Sequence, residues 1–222
     1  MKKLILTTVF SFLYITSASA DLGFNVGASG QAGLFSASAK EFSGTTMTEK
    51  GNGSEHGEVG FASVFLEATV ADRFMVGIDY VPNQLETETT ETAKSDKVTS
   101  GEETVTARTN TVQIDFEDLT TIYAGFMINE NMYVKAGILT VDVITNENLE
   151  TGAKYANTEL DGSMFGVGYH NVLDNGVFFR IEGNYMNFDG TTVTATGTDT
   201  DSKIQLTSLD GLTGKVSIGK SF

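Results

Sequence analysis

The stretch KVSIGKSF, residues 215–222, alternates apolar and polar residues and ends on an aromatic residue. Val216 and Ile218 share one parity, whereas Lys215 and Ser217 share the other. Because successive side chains of a β-strand point to opposite faces, this stretch predicts a strand with one apolar and one polar face.

The same alternation recurs along most of the chain. Beyond residue 20 no long stretch has the period of a helix, and the 222 residues include 24 glycines, one proline and no cysteine. This composition favours an all-β fold and excludes a disulfide-stapled scaffold. Eight alternating segments are predicted: 22–37, 59–70, 74–85, 111–127, 132–144, 162–172, 177–189 and 203–222.

The connections between these segments alternate between short and long. The short ones are 71–73, 129–131 and 173–176, and the long, polar ones are 38–58, 86–110, 145–161 and 190–202. Short turns on one side and long loops on the other are typical of transmembrane barrels, whereas a soluble sandwich has no reason to sort its loops by length. The sequence therefore predicts one eight-stranded antiparallel up-and-down transmembrane β-barrel over residues 21–222.

A secretory signal peptide is predicted at residues 1–20. Two lysines precede an apolar run from Leu4 to Ile15, and Ala18-Ser19-Ala20 forms a cleavage site. The alternative is a transmembrane anchor, but the run is short for a membrane span and small residues follow it directly.

One parity of the predicted strands would face lipid. In the second segment this parity carries Val64, Leu66 and Ala68. Four aspartates on the outward parity lie about ten to twelve residues from the short turns, which is the length a tilted strand needs to cross a membrane. We interpret them as markers of the outer interface, with a β-bulge as the alternative, above all at Asp210-Gly211: Asp118, Asp142, Asp189 and Asp210.

The chain resembles the small outer-membrane β-barrel proteins, such as the membrane domain of outer-membrane protein A and the protein X and W types. The resemblance rests on the signal peptide, the eight segments and the terminal Phe222. It implies the outer membrane of a Gram-negative bacterium, a monomer, and contact with outer-membrane lipid and lipopolysaccharide. It also implies that the barrel assembly machinery reads the last strand with Phe222. Lys220 departs from the family pattern, and we expect its ammonium to reach the periplasmic interface.

Charged side chains on the inward parity form the candidate functional site. A barrel of eight strands leaves an interior just wide enough for side chains, so buried charges there must pair. We expect a salt-bridged plug with Arg180 as its hub, and an ion-selective or gated pore is the alternative. The predicted network has three acids and three bases: Glu67, Asp79, Lys135, Arg180, Glu182 and Lys215.

Catalysis has weak support in the sequence. Some barrels of this kind are lipid-modifying enzymes that use a histidine with a serine and a carboxylate. His56 follows Ser54 and Glu55 in a glycine-rich stretch, and His170 lies near the short-turn end. No catalytic residue and no cofactor is predicted. The stretch from Thr198 to Asp201 lacks the glycine and glutamate of a calcium loop, so no metal site is predicted either.

The predicted function is that of an integral outer-membrane barrel with a structural or surface-interaction role. A surface ligand is expected to bind through the loops 38–58 and 86–110, because loops on a rigid scaffold commonly carry binding. The formal charge of −15 argues against nucleic acid as a partner. A narrow channel for small solutes or ions is the main alternative, and a lipid-modifying enzyme is a distant one.

Deleting Phe222 should slow insertion of the barrel more than it weakens the finished barrel, because the resemblance makes this residue part of the assembly signal. Folding can be followed in cells by heat-modifiable mobility on gels. If the deletion variant folds at the wild-type rate, Phe222 does not have this role.

Overall fold

The computed structural model describes residues 22–43, 48–71, 73–87, 90–96, 106–148, 153–197 and 202–222. The predicted signal peptide therefore lies outside the described residues, as does the candidate calcium segment 198–201. Among the described residues, no helix is long and apolar enough to span a membrane.

Eight strands form the wall of a closed barrel. Each strand pairs antiparallel with the next, and β8 pairs with β1 to complete the ring. Their bounds are Leu22–Ser43 (β1), Thr48–Val70 (β2), Phe74–Tyr80 (β3), Thr106–Met127 (β4), Met132–Asn148 (β5), Thr158–Val172 (β6), Val177–Phe188 (β7) and Ser202–Ser221 (β8). The predicted all-β, eight-stranded antiparallel up-and-down barrel is confirmed.

Five short strands lie beside this wall. Leu85–Glu86 and Thr90–Asp96 pair with β4, and Thr191–Thr194 pairs with β8. Thr196–Gly197 pairs with Ala153–Lys154 in a separate ladder of two strands. All five lie on the side of the barrel opposite to the short turns, which we call the tall end; the other side is the turn end.

The register of the strands fixes the width of the barrel. Following directly paired residues once around the ring from Val26 leads back to β1 at Ser36, a stagger of 36 − 26 = 10 residues. The path runs through Leu66, Ile78, Ile122, Ile138, Ser163, Asn187 and Asp210. A stagger of this size over eight strands tilts them by about 40° and leaves an interior that side chains fill.

An apolar band covers the outside of the barrel. Side chains on the outward parity are exposed, including Leu66 at 55%, Ile181 at 62% and Leu212 at 63%. In a water-soluble protein such a continuous apolar surface would be unfavourable, whereas in a bilayer it contacts the acyl chains. The closed ring of backbone hydrogen bonds leaves no unpaired strand edge within this band below Val64.

The four aspartates that the sequence singled out lie at similar distances from the turn end. They lie 127 − 118 = 9, 142 − 132 = 10, 189 − 177 = 12 and 221 − 210 = 11 residues from the turn-end residues of β4, β5, β7 and β8. On strands tilted by about 40° these distances correspond to roughly 23–30 Å, close to the height of an apolar membrane band. Their role as markers of the outer interface stays a prediction.

A β-bulge does occur near one aspartate, but it is not the one that the sequence favoured. Asp118 has a φ of 55°, and the register between β4 and β5 shifts between Glu117 and Thr120. The ladder through Asp210 and Gly211 is regular. An aspartate tolerates the left-handed conformation better than most residues, which explains the bulge at Asp118.

Much of the predicted loop 38–58 is strand, so that boundary was wrong. Both β1 and β2 continue to Ser43 and Thr48 at the tall end, well beyond the aspartate level. Across this hairpin Ser38 and Ser54 share a hydrogen bond of 2.9 Å. The alternation that predicts strands fails here because both faces meet water, so backbone pairing continues without an apolar face.

The predicted loop 86–110 is also partly strand, because Thr90–Asp96 pairs with the first residues of β4. The preceding segment is shorter than predicted, since β3 ends at Tyr80 and the chain kinks at Pro82. Proline cannot donate to a ladder, and β2 loses its pairing with β3 above Val64. From Thr48 to Ser63, β2 pairs only with β1 among the described residues.

The turn end should face the periplasm and the tall end the outside of the cell. An epitope inserted between Ala156 and Asn157 is expected to be detected by antibody on intact cells. The same epitope between Asp174 and Asn175, in a short turn, should be detected only after the outer membrane is opened. The reverse pattern of labelling would contradict this topology.

Candidate functional site in the barrel interior

The six charged residues of the predicted network all lie inside the barrel. Their exposed fractions are between 0 and 6%, and their strands place them in the half of the lumen nearer the turn end. We call this set, with the polar and aromatic side chains that contact it, the charged layer. Three acids and three bases make the layer formally neutral, which a poorly solvated interior requires.

The most deeply buried ion pair joins Arg180 and Glu67. The guanidinium binds both carboxylate oxygens, at 2.9 Å through Nη1 and at 2.7 Å through Nη2. Asn25 and Tyr123 also donate to the same carboxylate, at 2.7 and 2.9 Å. A bidentate pair with further donors meets the hydrogen-bonding needs of a carboxylate that is 0% exposed.

The expectation that Arg180 holds two carboxylates at once was wrong. Both ends of its fork bind Glu67, because this carboxylate lies across the lumen in the plane of the guanidinium. Glu182, expected as a partner of Arg180, instead accepts from Lys135 at 2.5 Å and from the Tyr133 hydroxyl. Lys215 forms the third ion pair, with Asp79.

Aromatic rings connect the three ion pairs. The Tyr123 ring lies 4.9 Å from Lys135 Nζ, and its hydroxyl binds Glu67. Phe65 lies 5.5 Å both from the Arg180 guanidinium and from Lys215 Nζ. Cation–π contacts strengthen when water is excluded, so these rings stabilise the cations between their carboxylate partners. The sequence analysis missed the rings, although the same inward parity would have identified them.

Two glycines make room for the tyrosines. A Cβ at Gly77 would lie 2.6 Å from the Tyr123 ring, and a Cβ at Gly168 would lie 2.3 Å from the Tyr133 ring. Such distances are far below van der Waals contact, so no larger residue fits without moving a ring. These glycines let a small barrel hold large aromatic side chains.

An apolar cluster fills the lumen above the charged layer. Along β7 the inward side chains run from Arg180 and Glu182 through Asn184 to Met186 and Phe188. The other strands contribute similarly, and most of these side chains are less than 6% exposed. We call this cluster the apolar layer, and its members are Phe61, Val81, Leu119, Leu139, Val141, Val143, Leu160, Met164, Met186, Phe188 and Leu209.

The outer-interface aspartates accept hydrogen bonds from tyrosines on neighbouring strands. Tyr80 donates to Asp118 at 2.6 Å, and Tyr185 donates to Asp210 at 2.6 Å. Asp210 also accepts from Asn187 at 2.7 Å. Tyrosine is well suited to this level, since its ring packs against the apolar band while its hydroxyl reaches polar partners.

The two histidines lie far apart in the fold. His56 is exposed on β2 at the tall end, and its neighbour Ser54 bonds to Ser38. His170 lies inside near the turn end, with its ring 4.9 Å from Phe178. Within the described part of the chain neither histidine ring hydrogen-bonds to a serine, and no cluster of His, Cys, Asp or Glu suits a metal ion.

No protein-family model matches the sequence, and no curated protein matches it either. Solved structures do match. The outer membrane protein OprG from Pseudomonas aeruginosa has a TM-score of 0.59 at 11% identity, over 91% of this chain and 97% of that chain. The outer membrane protease OmpT from Escherichia coli has a TM-score of 0.48 at 7% identity, over 93% and 99%.

A third match is Ail, the attachment invasion locus protein of Yersinia pestis, with a TM-score of 0.40 at 13% identity over 87% and 99%. The likeness to OprG shows that this chain has the fold of a small outer-membrane β-barrel. With its exposed apolar band and polar, charged interior, the chain is an integral β-barrel protein of a Gram-negative outer membrane.

Replacing Arg180 by alanine should lower the free energy of unfolding by about 3–5 kcal/mol, because Glu67 would keep its buried charge without its main partner. Thermal or denaturant unfolding followed by heat-modifiable mobility measures the change. Arg73→Ala is the matched control, since Arg73 is exposed in a short turn. Equal stabilities of the two variants would show that the buried pair contributes nothing.

Proposed function

We propose that this chain is a non-conducting outer-membrane barrel whose role is structural or is exercised by its tall end at the cell surface. The observation that carries the proposal is the filling of the lumen by two successive layers, one charged and one apolar. Either layer alone would hinder an ion, and the two block it for different physical reasons.

The charged layer opposes passage because its groups already satisfy one another. An ion that enters must compete with pairs such as Arg180 with Glu67 and Lys135 with Glu182, at N–O distances of 2.7 and 2.5 Å. Separating a buried pair leaves an uncompensated charge in a poorly solvated site, which costs several kcal/mol. The neutral sum of the layer also gives it no preference for cations or anions.

The apolar layer opposes passage because it offers an ion no hydrogen bonds. Its widest members, such as Phe61, Leu139 and Met186, meet from different strands within the lumen. Hydrophobic constrictions in channels close by excluding water, and an ion that loses its water without replacement ligands is strongly destabilised.

A role at the cell surface is supported by the height of the tall end. The hairpin of β1 and β2 extends to Ser43 and Thr48, beyond Asp210 and Asp118. Every residue from Gly51 to Glu58 is exposed, although it lies in a regular strand. A rigid strand that projects from the membrane can present side chains to a partner without the ordering entropy of a mobile loop.

The remaining partners follow from the same surfaces. The apolar band would contact outer-membrane lipid and lipopolysaccharide acyl chains. Phe222 is 74% exposed beside the closing β1–β8 pair, where its backbone exchanges hydrogen bonds with Phe24 at 2.9 and 3.2 Å. That exposure supports a role for Phe222 in recognition by the barrel assembly machinery, which stays a prediction.

A narrow passage for small solutes is the second candidate function. One observation favours it: the wall loses the β2–β3 pairing at Val64 and Tyr80, and the apolar residues Phe61 and Val81 lie on the inner side of that level. An apolar solute could leave the lumen sideways there without crossing the charged layer. Phe61→Trp should then slow uptake of a small apolar dye by intact cells, whereas a closed barrel predicts no change.

Planar-bilayer recordings test the main proposal. Wild type should show no steady single-channel current, and Arg180→Ala should stay closed because the apolar layer remains. Leu139→Ser with Met186→Ser should also stay closed because the charged layer remains. Combining all three substitutions should produce measurable conductance in barrels that still show heat-modifiable mobility.

A steady wild-type current that Arg180→Ala alters would contradict the proposal and favour the channel. Closed recordings from every variant would place the barrier elsewhere in the lumen.

A further inference from the structure

The upper part of β2 is a strand edge without a neighbour. Among the described residues, Thr48 to Ser63 pair with β1 on one side and with no strand on the other, over 63 − 48 + 1 = 16 residues. We call this side of β2 the open edge. Unpaired strand edges offer a row of backbone donors and acceptors that another extended chain can join.

The hydrogen-bond pattern identifies the residues whose backbone faces the open edge. Phe24 and Phe222 exchange both backbone hydrogen bonds, so even-numbered residues of β1 face β8 and odd-numbered ones face β2. In the β1–β2 register odd residues lie opposite odd residues. Even-numbered residues of β2 therefore direct their backbone groups away from β1, and those in the exposed stretch are Asn52, Ser54, His56 and Glu58.

We propose that this edge, from Gly51 to Glu58, binds an extended basic segment of another protein as an added β-strand. The proposal deepens the surface role proposed above and rests on it. Strand addition of this kind draws affinity from main-chain hydrogen bonds and specificity from alternate side chains. All eight residues, 58 − 51 + 1 = 8, are exposed and lie beyond the aspartate level.

Charge determines the sign of the partner. The stretch contains Glu55 and Glu58 and no lysine or arginine, and Glu86 is exposed on the short strand beyond the gap. The whole chain is acidic, with a formal charge of −15. Complementary potentials speed association and reject wrong partners, so lysine and arginine on an incoming strand are favoured and acidic residues are disfavoured.

Glycines on the inner face of the stretch leave room for large side chains of an added strand. A Cβ at Gly51, Gly53 or Gly57 would meet no atom within 4 Å, so packing in this chain does not require glycine there. Glycine weakens a strand interior and often marks the close approach of another backbone. Long basic side chains could lie over these positions beside Glu55.

A second copy of this chain does not fit the edge. Two barrels in one membrane have β2 running in the same direction relative to the bilayer, and each strand is tilted by about 40°. Where two such walls face each other, their strands cross at about 80°, so the backbones cannot pair. The occupant is therefore a free extended segment and not another barrel wall.

Fluorescence anisotropy with the full chain in lipid nanodiscs tests the proposal. The probes are three labelled eight-residue peptides: alternating Thr-Lys, alternating Thr-Glu, and the Thr-Lys peptide with two central prolines. The Thr-Lys peptide should bind at least tenfold more tightly than either other peptide. Proline keeps the charge but removes the backbone donors, so this comparison separates strand addition from simple charge attraction.

Two variants of one residue locate the site. His56→Pro removes a backbone donor from the open edge while leaving the odd-numbered bonds to β1, and it should weaken the Thr-Lys peptide at least tenfold. His56→Ala keeps that donor and should bind like wild type. Both should retain the heat-modifiable mobility of a folded barrel.

Equal binding of the Thr-Lys and proline peptides, or equal binding by the two His56 variants, would overturn the proposal. Absence of binding by any peptide would overturn it as well. The closed-barrel function is read separately, from the planar-bilayer recordings, so a barrel that binds no peptide but carries no current refutes only this inference.

Discussion

The narrow interior of the barrel is the constraint on which the rest of the structure depends. A ring of eight strands with a stagger of ten residues leaves room for side chains and little else. Every inward side chain must therefore find its partner across the lumen. Charged residues meet this requirement in ion pairs such as Arg180 with Glu67, and apolar residues meet it by packing, as Leu139 and Met186 do.

The order of these two layers along the axis links the interior to the proposed function. Aromatic rings lie between the ion pairs, so the cations of neighbouring pairs share Phe65 and the tyrosines. Glycines such as Gly168 provide the space for those rings. Because the charged layer is neutral and internally satisfied, and the apolar layer offers no ligands, an ion finds no stepwise path through the barrel. Activity at the cell surface then rests on the tall end.

The period-two pattern carries most of the fold and part of the site. It predicted the eight strands and the inward positions of the charged residues, because burial between lipid and lumen imposes one parity on each strand. It did not predict which acid binds which base: the Arg180 partner depends on the stagger of the barrel, which no single segment encodes. It also failed above the aspartate level, where water wets both faces of β1 and β2 and alternation loses its meaning. The short β3 follows from the kink at Pro82, a feature visible in the sequence but not weighed against the alternation around it.

Cysteine accessibility inside the lumen tests the sealed interior most directly, since the chain has no cysteine of its own. Thr213 is 2% exposed and lies on β8 between Lys215 of the charged layer and Leu209 of the apolar layer. A Thr213→Cys barrel in liposomes should resist a small water-soluble thiol reagent added to either side. Asn175→Cys, in an exposed short turn, should react rapidly with the reagent when it is present on that side. Rapid labelling of Cys at position 213 in a folded barrel would mean that water and small solutes reach the lumen, and the two-layer seal would be contradicted.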